Sequence, residues 1–401
     1  MGLNKNYQGY QSYEYLEADY DYKSFEMADQ LNRVEGYKVP ITEKEEELTE
    51  EIMRDTVIIS MHEHPVRFPA DIKEVFEYTR QGREFTAYKG LAHSPLDGVF
   101  DNLMDGTCAI TSKHGWKWRD VIYDLGMRLS DIAHQNFVIK CEDVDDIFGA
   151  YENGQLALVP TMEGAAMIEN ELDRIDILYG LGVRSIGITY SEANTLGSGL
   201  KEKRDGGLTS FGRQAVERMN KIGIAIDISH SGDRTSKDVI EASDKPVFIS
   251  HAGARSLWDS PRLKSDEVLK ACAKNDGVIG IEAAPHTTLT KNNTKHGIES
   301  FMEHFEYIKE LVGIDHVSFG PDTLYGDHVG LHHAYAEHLS IKDSQSQDKD
   351  FNEVDYVKGL ENPTEASINI IRWLVKNDYS KQDIQKVIGG NTIRALREIW
   401  Y

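Results

Sequence analysis

The stretch VIISMHEHPVRFP, residues 57–69, begins as an apolar β-strand and ends with two histidines, His62 and His64. Because side chains alternate along a strand, these two imidazoles project from one face and Glu63 points the other way. Two neutral imidazoles side by side supply half of a metal site, but such a pair is also common as a hydrogen-bonded feature of a core. The residues at the ends of the other strands decide between these interpretations.

Eight short apolar runs, rich in Val and Ile, are spread along the chain with amphipathic stretches between several of them. Runs that are apolar on both faces are typical of parallel strands covered by helices. Eight of them in one chain favour an α/β fold of the (β/α)8 TIM-barrel type over two doubly wound domains. No Gly-rich phosphate loop follows the first run, which also argues against a dinucleotide-binding fold. The predicted strands are VIISM (57–61), TCAIT (107–111), LALVPT (156–161), RSIGIT (184–189), GIAIDIS (223–229), PVFIS (246–250), GVIGIE (277–282) and HVSFG (316–320).

The composition of the first residues differs from that of the rest. Residues 1–45 are acidic, rich in tyrosine and without clear periodicity. They predict an extension that packs over the domain or across a subunit boundary, or else a partly disordered tail. Residues 46–401 form a single predicted barrel domain. Around its start, ITEKEEELTEEIMRDT (41–56) predicts a helix with Thr42 as its cap and acidic residues in the first turns.

The bulk composition excludes several classes of partner. The 401 residues carry a net charge of −23, which argues against nucleic acid and anionic membrane surfaces, since both require a basic surface. Cys108, Cys141 and Cys272 are too few and too widely spaced for a disulfide framework, which favours a reducing compartment. The first residues lack a secretory signal pattern, and no apolar run is long enough to cross a bilayer. The sequence therefore predicts a cytoplasmic protein.

Six side chains of the type that binds metals or transfers protons lie at the predicted C-terminal ends of strands. In a (β/α)8 barrel these ends meet at one face, where the chemistry collects. Each side chain alone could be a core histidine or a helix cap, but independent accidents would not place all of them at strand ends. The pattern therefore predicts a metal centre. The six are His62 and His64 on the first strand, Glu163 on the third, His230 on the fifth, His251 on the sixth and Asp322 on the eighth.

The number and type of these side chains predict two metal ions. Four imidazoles and one carboxylate exceed the roughly three protein ligands of a single catalytic zinc. We predict that His62 and His64 bind one ion and that Glu163 offers one oxygen to each ion. His230 and His251 then bind the other ion. Such ligands accept zinc, manganese, iron or cobalt, so the donor set alone leaves the metal open.

The remaining carboxylate, Asp322, completes a hydrolytic site. Two ions a few ångströms apart can share a water molecule, lower its pKa and present hydroxide at neutral pH. Asp322 is then placed to orient that hydroxide, to take its proton and to pass the proton to a leaving group. The residues by themselves therefore indicate metal-assisted hydrolysis.

Several long motifs in a fixed order carry a family resemblance. From about residue 50 to its C-terminus the chain resembles the zinc-dependent membrane (renal) dipeptidases, peptidase family M19, within the metal-dependent amidohydrolase superfamily of barrels. The last motif carries the GLE and GGN signatures of the closing helices of that family. The motifs are MEG (162–164), GLTSFGRQAVERMNKIGIAIDISH (207–230), KPVFISHAGARSL (245–257), IDHVSFGPD (314–322) and VKGLENPTEASINIIRWLVKNDYSKQDIQKVIGGNTIRAL (357–396).

The resemblance implies a dipeptidase with two Zn²⁺ ions per subunit, a homodimer by family habit, acting on small substrates with a free carboxylate. It implies the ligand roles argued above, with Glu163 as the bridging glutamate and Asp322 as the catalytic acid/base. It also matches Arg262, in SPRLKSDEV, to the arginine that clamps the carboxylate of the substrate. A guanidinium suits that task because its fork forms two parallel hydrogen bonds with a carboxylate.

Three departures from the family pattern bear on the substrate. The family carries His-x-Asp on the first strand, where this chain has His64 in place of the aspartate, so a ligand is kept and a negative charge is lost. Tyr190 replaces a histidine that steadies the substrate carbonyl and the developing oxyanion. A phenol can donate one hydrogen bond there, but it cannot become a cation near neutral pH. The family's DFDG is altered to DTLYGD, beginning at Asp322.

Three hypotheses about function follow from these observations. In the first, hydroxide bridging the two ions attacks the amide carbonyl of a dipeptide, with Asp322 and Arg262 in the roles given above. The second keeps the metal centre and changes the substrate to another amide, a lactone or a phosphoester. The third is a barrel that binds metal or a partner without catalysis, and the full ligand set argues against it.

Two further segments are candidates for the mouth of the site. GDHVGLHHAYAEHL (326–339) would place His328 and His332 on one helical face, either as a substrate lid or as a solvated helix that is rich in histidine. TSKHGWKWRD (111–120) follows the predicted second strand. Its aromatic and imidazole side chains either form a wall of the pocket or pack the rim of the barrel; they are His114, Trp116 and Trp118.

Overall fold

The computed structural model describes residues 5–103, 116–338 and 351–400. The strands of this part of the chain are β1 (Ile59–Arg67), β2 (Phe85–Thr86), β3 (Gly98–Asn102), β4 (Val138–Lys140), β5 (Leu156–Met162), β6 (Ser185–Gly187), β7 (Ala225–Asp227), β8 (Val247–Ala252), β9 (Val278–Ile281), β10 (Val317–Phe319) and β11 (Leu324–Tyr325). The α-helices are α1 (Glu43–Asp55), α2 (Val75–Gln81), α3 (Tyr88–Ala92), α4 (Trp118–Ile132), α5 (Val144–Asn153), α6 (Asp173–Gly180), α7 (Ser210–Ile222), α8 (Asp233–Ala242), α9 (Asp266–Lys274), α10 (Ile298–Val312), α11 (His328–His338), α12 (Pro363–Lys376), α13 (Lys381–Gln385) and α14 (Asn391–Ile399). None of the described helices combines the length and the apolar composition that a bilayer span requires.

Parallel pairing joins β1, β3, β5, β6, β7, β8, β9 and β10 in that order into a curled sheet. The segment after β10 returns to the first strand, where Leu324 of β11 lies opposite His64. The backbone N–H of Asp322 also donates to the carbonyl of His62 at 3.0 Å. The prediction of a (β/α)8 TIM barrel is confirmed, and the residues that close it are neighbours of the predicted metal ligands.

The second barrel strand is not where the sequence analysis placed it. The predicted run at 107–111 lies outside the described residues, and β3 occupies the position between β1 and β5. Its sequence, GVFDN, ends in two polar residues and does not read as an apolar run. Asp101 is buried there because Arg128 of α4 donates to it at 2.7 Å. Because this strand is stabilised partly by a buried ion pair, a search for apolar runs in the sequence does not detect it.

Helix ends follow the local signals that the sequence contains. Thr42 caps α1 and forms a capping box with Glu45, as the predicted helix at 41–56 requires. Thr209 accepts a hydrogen bond from the N–H of Gly212 at the start of α7. The same helix ends at Gly223, whose φ of 84° suits a residue without a Cβ. These caps fix where α7 begins and ends, and therefore where β7 starts. The start of β7 in turn determines the position of His230.

The N-terminal end of the barrel is filled by apolar side chains from the strands and from α14. Phe100 of β3 stacks on Trp400 with ring centroids 6.2 Å apart and lies 6.5 Å from Phe248 of β8. Leu396 and Ile399 of α14 are buried in the same cluster. Burial of such side chains stabilises a fold by about 1.5–3 kcal/mol each, so the C-terminal helix is part of the barrel core.

The described part of the N-terminal extension packs on the barrel through one buried carboxylate. Asp131, near the end of α4, is fully buried. It accepts a hydrogen bond from the Tyr10 hydroxyl at 2.8 Å and one from the backbone N–H of Tyr13 at 2.7 Å. The hydroxyls of Ser12 and of Tyr88 in α3 also donate to it. Asp131 thus holds the extension and the barrel together.

We expect Asp131→Ala to lower the free energy of unfolding by about 3 kcal/mol, because several buried donors lose a charged acceptor at once. Urea unfolding followed by circular dichroism measures this loss. Ser130→Ala is the matched control, since Ser130 contacts the extension through an exposed bond to the Tyr15 hydroxyl at 3.1 Å. The control should change stability by less than about 0.5 kcal/mol, and equal losses in both variants would contradict the prediction.

Candidate metal centre and active site

Three imidazoles from three strands converge on the carboxylate of Glu163, which directly follows β5. Its Oε1 lies 2.7 Å from Nε2 of His230, which follows β7. The same oxygen lies 3.2 Å from Nε2 of His251 in β8 and 4.0 Å from Nε2 of His62 in β1. His230 and His251 are themselves 3.1 Å apart through their Nε2 atoms. One carboxylate therefore faces one imidazole of the first predicted ligand pair, His62, and both imidazoles of the second.

Asp322 lies on the other side of His62. Its Oδ1 is 3.0 Å from Nε2 of His64 and 3.5 Å from Nε2 of His62. The residue has a φ of 58°, a left-handed conformation that aspartate tolerates better than most side chains. The structure thus brings together all six side chains that the sequence analysis placed at strand ends.

The protonation states of these side chains suit cation binding. Burial lowers the pKa of His230 and lowers that of His251 to about 3, so both imidazoles are neutral at neutral pH. Burial acts to raise the pKa of Glu163 and of Asp322, but the neighbouring imidazoles outweigh it and hold both pKa values well below their usual range. Neutral imidazoles and ionised carboxylates are the forms that ligate metals.

The donor atoms also lie close enough to share ions. Within the described residues, three sets of side chains each place their ligand atoms within 4.8 Å of one another: His62, His64 and Asp322; His62, Glu163 and His251; and His251, Glu282 and Asp322. Overlapping sets of nitrogen and oxygen donors are what a dinuclear centre of zinc or a similar metal requires. The donor set therefore fits the predicted pair of metal ions.

A second layer of side chains fixes the ligands in place. Nδ1 of His251 lies 2.7 Å from the Ser250 hydroxyl, which donates to the buried carboxylate of Asp227 at 2.7 Å. Glu63 points away from the centre, as strand alternation predicts, and accepts hydrogen bonds from the N–H and hydroxyl of Thr323 at 2.8 and 2.7 Å. That contact fixes the backbone next to Asp322.

Sequence reasoning missed Asn102, at the end of β3. Its side-chain amide donates to Oε2 of Glu163 at 2.5 Å and lies 3.3 Å from Nε2 of His62. The rule that polar residues collect at strand ends would have found it, but only with β3 correctly placed. Asn102 holds the second oxygen of Glu163 and so orients the central carboxylate.

Arg262 lies beside the centre, but its guanidinium already has a carboxylate partner. It is buried, forms an ion pair with the buried Glu282 and donates to the carbonyl of His251 at 3.3 Å. Burial raises the pKa of Glu282 to about 8, and the attraction of Arg262 opposes this shift. The carboxylate of a substrate would therefore share Arg262 with Glu282, a pairing that the sequence analysis did not foresee.

Aromatic side chains cover the centre on the side of Glu163. The ring of Tyr190 stacks on that of His230, with centroids 4.4 Å apart, and the Trp116 ring lies 4.9 Å from Tyr190. Burial and the charge of Glu163 raise the pKa of Tyr190 well above its usual value, so its hydroxyl stays a hydrogen-bond donor. Of the other predicted wall residues, Trp118 lies under the Arg174 guanidinium at 5.1 Å. His114 lies outside the described residues.

The histidine-rich segment forms α11, and two of its imidazoles face the site. The rings of His328 and His332 are 4.6 Å apart, so they share a face as predicted. Burial lowers the pKa of His332 to about 4, and the charge of Asp322 acts on both imidazoles in the opposite direction. His333 lies on the exposed side, 2.8 Å from Glu353. The solvated-helix alternative therefore does not describe His328 and His332.

Comparison with known proteins gives a family and several relatives. Residues 49–337 match the model of the membrane dipeptidase family, peptidase family M19. Among curated proteins, the dipeptidase tcpJ of Claviceps purpurea is 26% identical over 278 residues, which make up 69% of this chain and 58% of that protein. The chain spans about half the length of the curated relatives it matches.

Solved structures share the fold over most of the chain. An amidohydrolase from Pseudomonas aeruginosa is 26% identical with a TM-score of 0.70, and the match covers 88% of this chain and 99% of that one. A metallopeptidase from Rhodobacter sphaeroides, liganded with a phosphinate mimic of the dipeptide L-Ala-D-Ala, is 18% identical with a TM-score of 0.64. That match covers 86% of this chain and 100% of the other chain, and at this identity it shows the fold alone.

Proposed function

Because the chain belongs to the membrane dipeptidase family, peptidase family M19, we propose that it is a zinc-dependent hydrolase that cleaves dipeptides. The observation that carries this proposal is the convergence of three imidazoles on the single carboxylate of Glu163. The buried Arg262 beside the same cluster adds a binding group for a free carboxylate, which every dipeptide has.

Each ligand pair has a place in this proposal. His62 and His64 would hold one metal ion, His230 and His251 the other, and Glu163 would be shared by both. When bound, such a metal pair supplies Lewis acidity toward the scissile carbonyl and a nucleophilic hydroxide at neutral pH. Manganese, iron and cobalt suit the same donors as zinc.

The side chains of the chain itself account for the remaining steps. Asp322, ionised beside His62 and His64, accepts a proton from the attacking group and returns it to the leaving amine. The Tyr190 hydroxyl donates a hydrogen bond to the carbonyl oxygen as its negative charge develops. Arg262 holds the C-terminal carboxylate, which fixes the scissile bond relative to Asp322. Small substrates with a free carboxylate are therefore favoured over proteins.

Metal analysis combined with an assay on L-L and L-D dipeptides tests the proposal. We expect about two equivalents of metal per chain, and we expect a chelator to abolish turnover because the ligands then lack their ions. Refilling the stripped protein with Zn²⁺ should restore activity. A protein that hydrolyses dipeptides equally well after its metal content has fallen to zero would contradict the metal-dependent mechanism.

A second candidate function keeps the metal centre and changes the substrate to another amide, a lactone or a phosphoester. His64 favours it, since an imidazole 3.0 Å from Asp322 replaces the carboxylate expected from the resemblance. Under the dipeptidase proposal, His64→Asp should retain kcat/KM for dipeptides within about tenfold, a change of 1.4 kcal/mol. An inert wild-type protein that gains dipeptide turnover on His64→Asp would favour the second candidate. A lactone and phosphoester panel on both proteins identifies the class.

Two further properties complete the proposal. A cytoplasmic location is supported by Cys141 and Cys272, which are both buried free thiols. A homodimer is proposed because members of the family commonly form one, and analytical ultracentrifugation of the purified protein tests this oligomeric state. The hypothesis of a non-catalytic barrel is tested by the Asp322 variant described in the Discussion.

A further inference from the structure

A cavity of about 520 Å³ lies between the N-terminal extension and the barrel. Residues of the extension between Tyr7 and Gln30 form one side, and Arg67, Phe85 and Tyr88 belong to the other. None of the side chains assigned to the metal centre is among the described residues that line it. Its volume falls within the range of sites for small molecules, roughly 300–1,000 Å³.

The barrel side of this cavity contains the cation Arg67, whose side chain donates to backbone carbonyls. Nε and Nη2 of Arg67, the last residue of β1, donate to the carbonyl of Ala28 at 3.3 and 2.9 Å, and Nη2 also lies 3.4 Å from that of Met27. Among the described residues, no carboxylate forms an ion pair with Arg67. Burial lowers the pKa of this guanidinium, and the charge of Asp29 only partly opposes the effect. Backbone carbonyls compensate a partly buried positive charge less well than a carboxylate does, so an anion at this place would be stabilising.

The rest of the cavity wall is rich in aromatic rings. Phe85 has the ring of Tyr22 edge-on at 5.8 Å and that of Tyr13 tilted at 6.0 Å. Tyr7 and Tyr88 add two further rings to the wall. Such rings pair favourably with another aromatic ring in edge-on or offset geometry, by about 0.5–1.5 kcal/mol beyond area burial.

We propose that this cavity is a second ligand site, for a small molecule that carries one aromatic ring and one carboxylate. Arg67 binds the carboxylate through Nη1, the guanidinium nitrogen that bonds to neither Ala28 nor Met27, and the tyrosine and phenylalanine rings enclose the aromatic body. Arg67 is the only cationic side chain among the described lining residues, and Glu14 lies on the same wall. A singly charged carboxylate therefore suits the cavity better than a doubly charged phosphate.

Isothermal titration of the metal-loaded protein with phenylacetate tests this site, with benzyl alcohol as a ligand of similar shape without the charge. Arg67→Gln removes the cation. Arg80→Gln is the matched control, because it removes the same charge from an exposed residue of α2 that is not among the residues lining the cavity. Leu16→Trp keeps Arg67 and fills the cavity with a larger side chain, and it remains informative if Arg67→Gln fails to fold.

We expect wild type and Arg80→Gln to bind phenylacetate alike and benzyl alcohol at least about tenfold more weakly. Arg67→Gln and Leu16→Trp should each raise the dissociation constant at least about tenfold, with the circular dichroism of the folded protein unchanged. Absence of phenylacetate binding to wild type would overturn the proposal. So would unchanged binding in Leu16→Trp or in folded Arg67→Gln, since the ligand would then occupy another place, such as the Arg262 side chain.

Discussion

Replacing Asp322 with asparagine should lower kcat for dipeptide hydrolysis on the order of 1,000-fold, the middle of the range for loss of a general acid–base group. Asparagine keeps the volume of the side chain but can neither accept the proton of the attacking group nor return it. KM should change little, because under the proposed function the carboxylate of the substrate binds to Arg262. Steady-state kinetics on a preferred dipeptide, with metal content measured on the same sample, gives both values.

The control for this variant is Asp327→Asn, five positions further along the chain. Asp327 accepts a hydrogen bond from the N–H of Gly330 at 2.9 Å at the start of α11. Asparagine caps a helix as well as aspartate does, so kcat should stay within about twofold of wild type. If Asp322→Asn retains most of its activity with full metal content, Asp322 does not carry the proton. If wild type and Asp322→Asn are both inert on every substrate, the non-catalytic barrel is favoured.

Replacing Arg262 with methionine should lower both kcat/KM and stability. Loss of a bidentate contact with the carboxylate of the substrate should reduce kcat/KM about 100-fold, since hydrogen bonds to charged groups contribute about 1.5–3 kcal/mol each. The same change leaves the Glu282 carboxyl buried without its partner, which should cost about 1–3 kcal/mol of stability, because a carboxyl whose pKa is already about 8 is mainly protonated at neutral pH. Kinetics and urea unfolding measure the two effects on one preparation.

A double variant separates these two effects. Arg262→Met combined with Glu282→Gln removes the unpaired carboxyl, so stability should recover in part while kcat/KM for dipeptides stays low. A dipeptide amide, which lacks the C-terminal carboxylate, should be hydrolysed equally well by wild type and by the double variant. If the double variant still prefers the dipeptide over its amide as strongly as wild type does, Arg262 is not the carboxylate clamp.

The sequence allowed the cluster of candidate metal ligands to be predicted because barrel geometry is so regular. Once a strand is recognised, the residues at its C-terminal end must lie at one rim, and His230, His251 and Asp322 are placed by that rule alone. Asn102 was not predicted as a site residue, because its strand is stabilised by the buried ion pair of Asp101 and Arg128 and is not a continuous apolar run. The hydrophobic pattern of the sequence does not predict a strand of that kind.

Contacts between distant parts of the chain were also beyond sequence reasoning. The sequence around Arg262 does not indicate that its guanidinium forms an ion pair with Glu282. That pair forms only when neighbouring strands bring the two residues together. The tyrosine-rich extension is a similar case. Its composition was compatible both with packing on the barrel and with disorder. The residue that holds it on the barrel, Asp131, lies on a helix more than a hundred residues away in sequence.

The way in which the barrel closes has a consequence for the synthesis of this protein. Glu63 of β1 is bonded to Thr323 across 260 residues, and Trp400 packs against Phe100 of β3. As the nascent chain leaves the ribosome, β1 therefore emerges long before the segment that pairs with it and the helix that covers its neighbour. Because distant contacts form late, His62 and His64 meet Asp322 only after the 260 residues that separate Glu63 from Thr323 have been synthesised, so Asp322 joins its histidine neighbours late in folding.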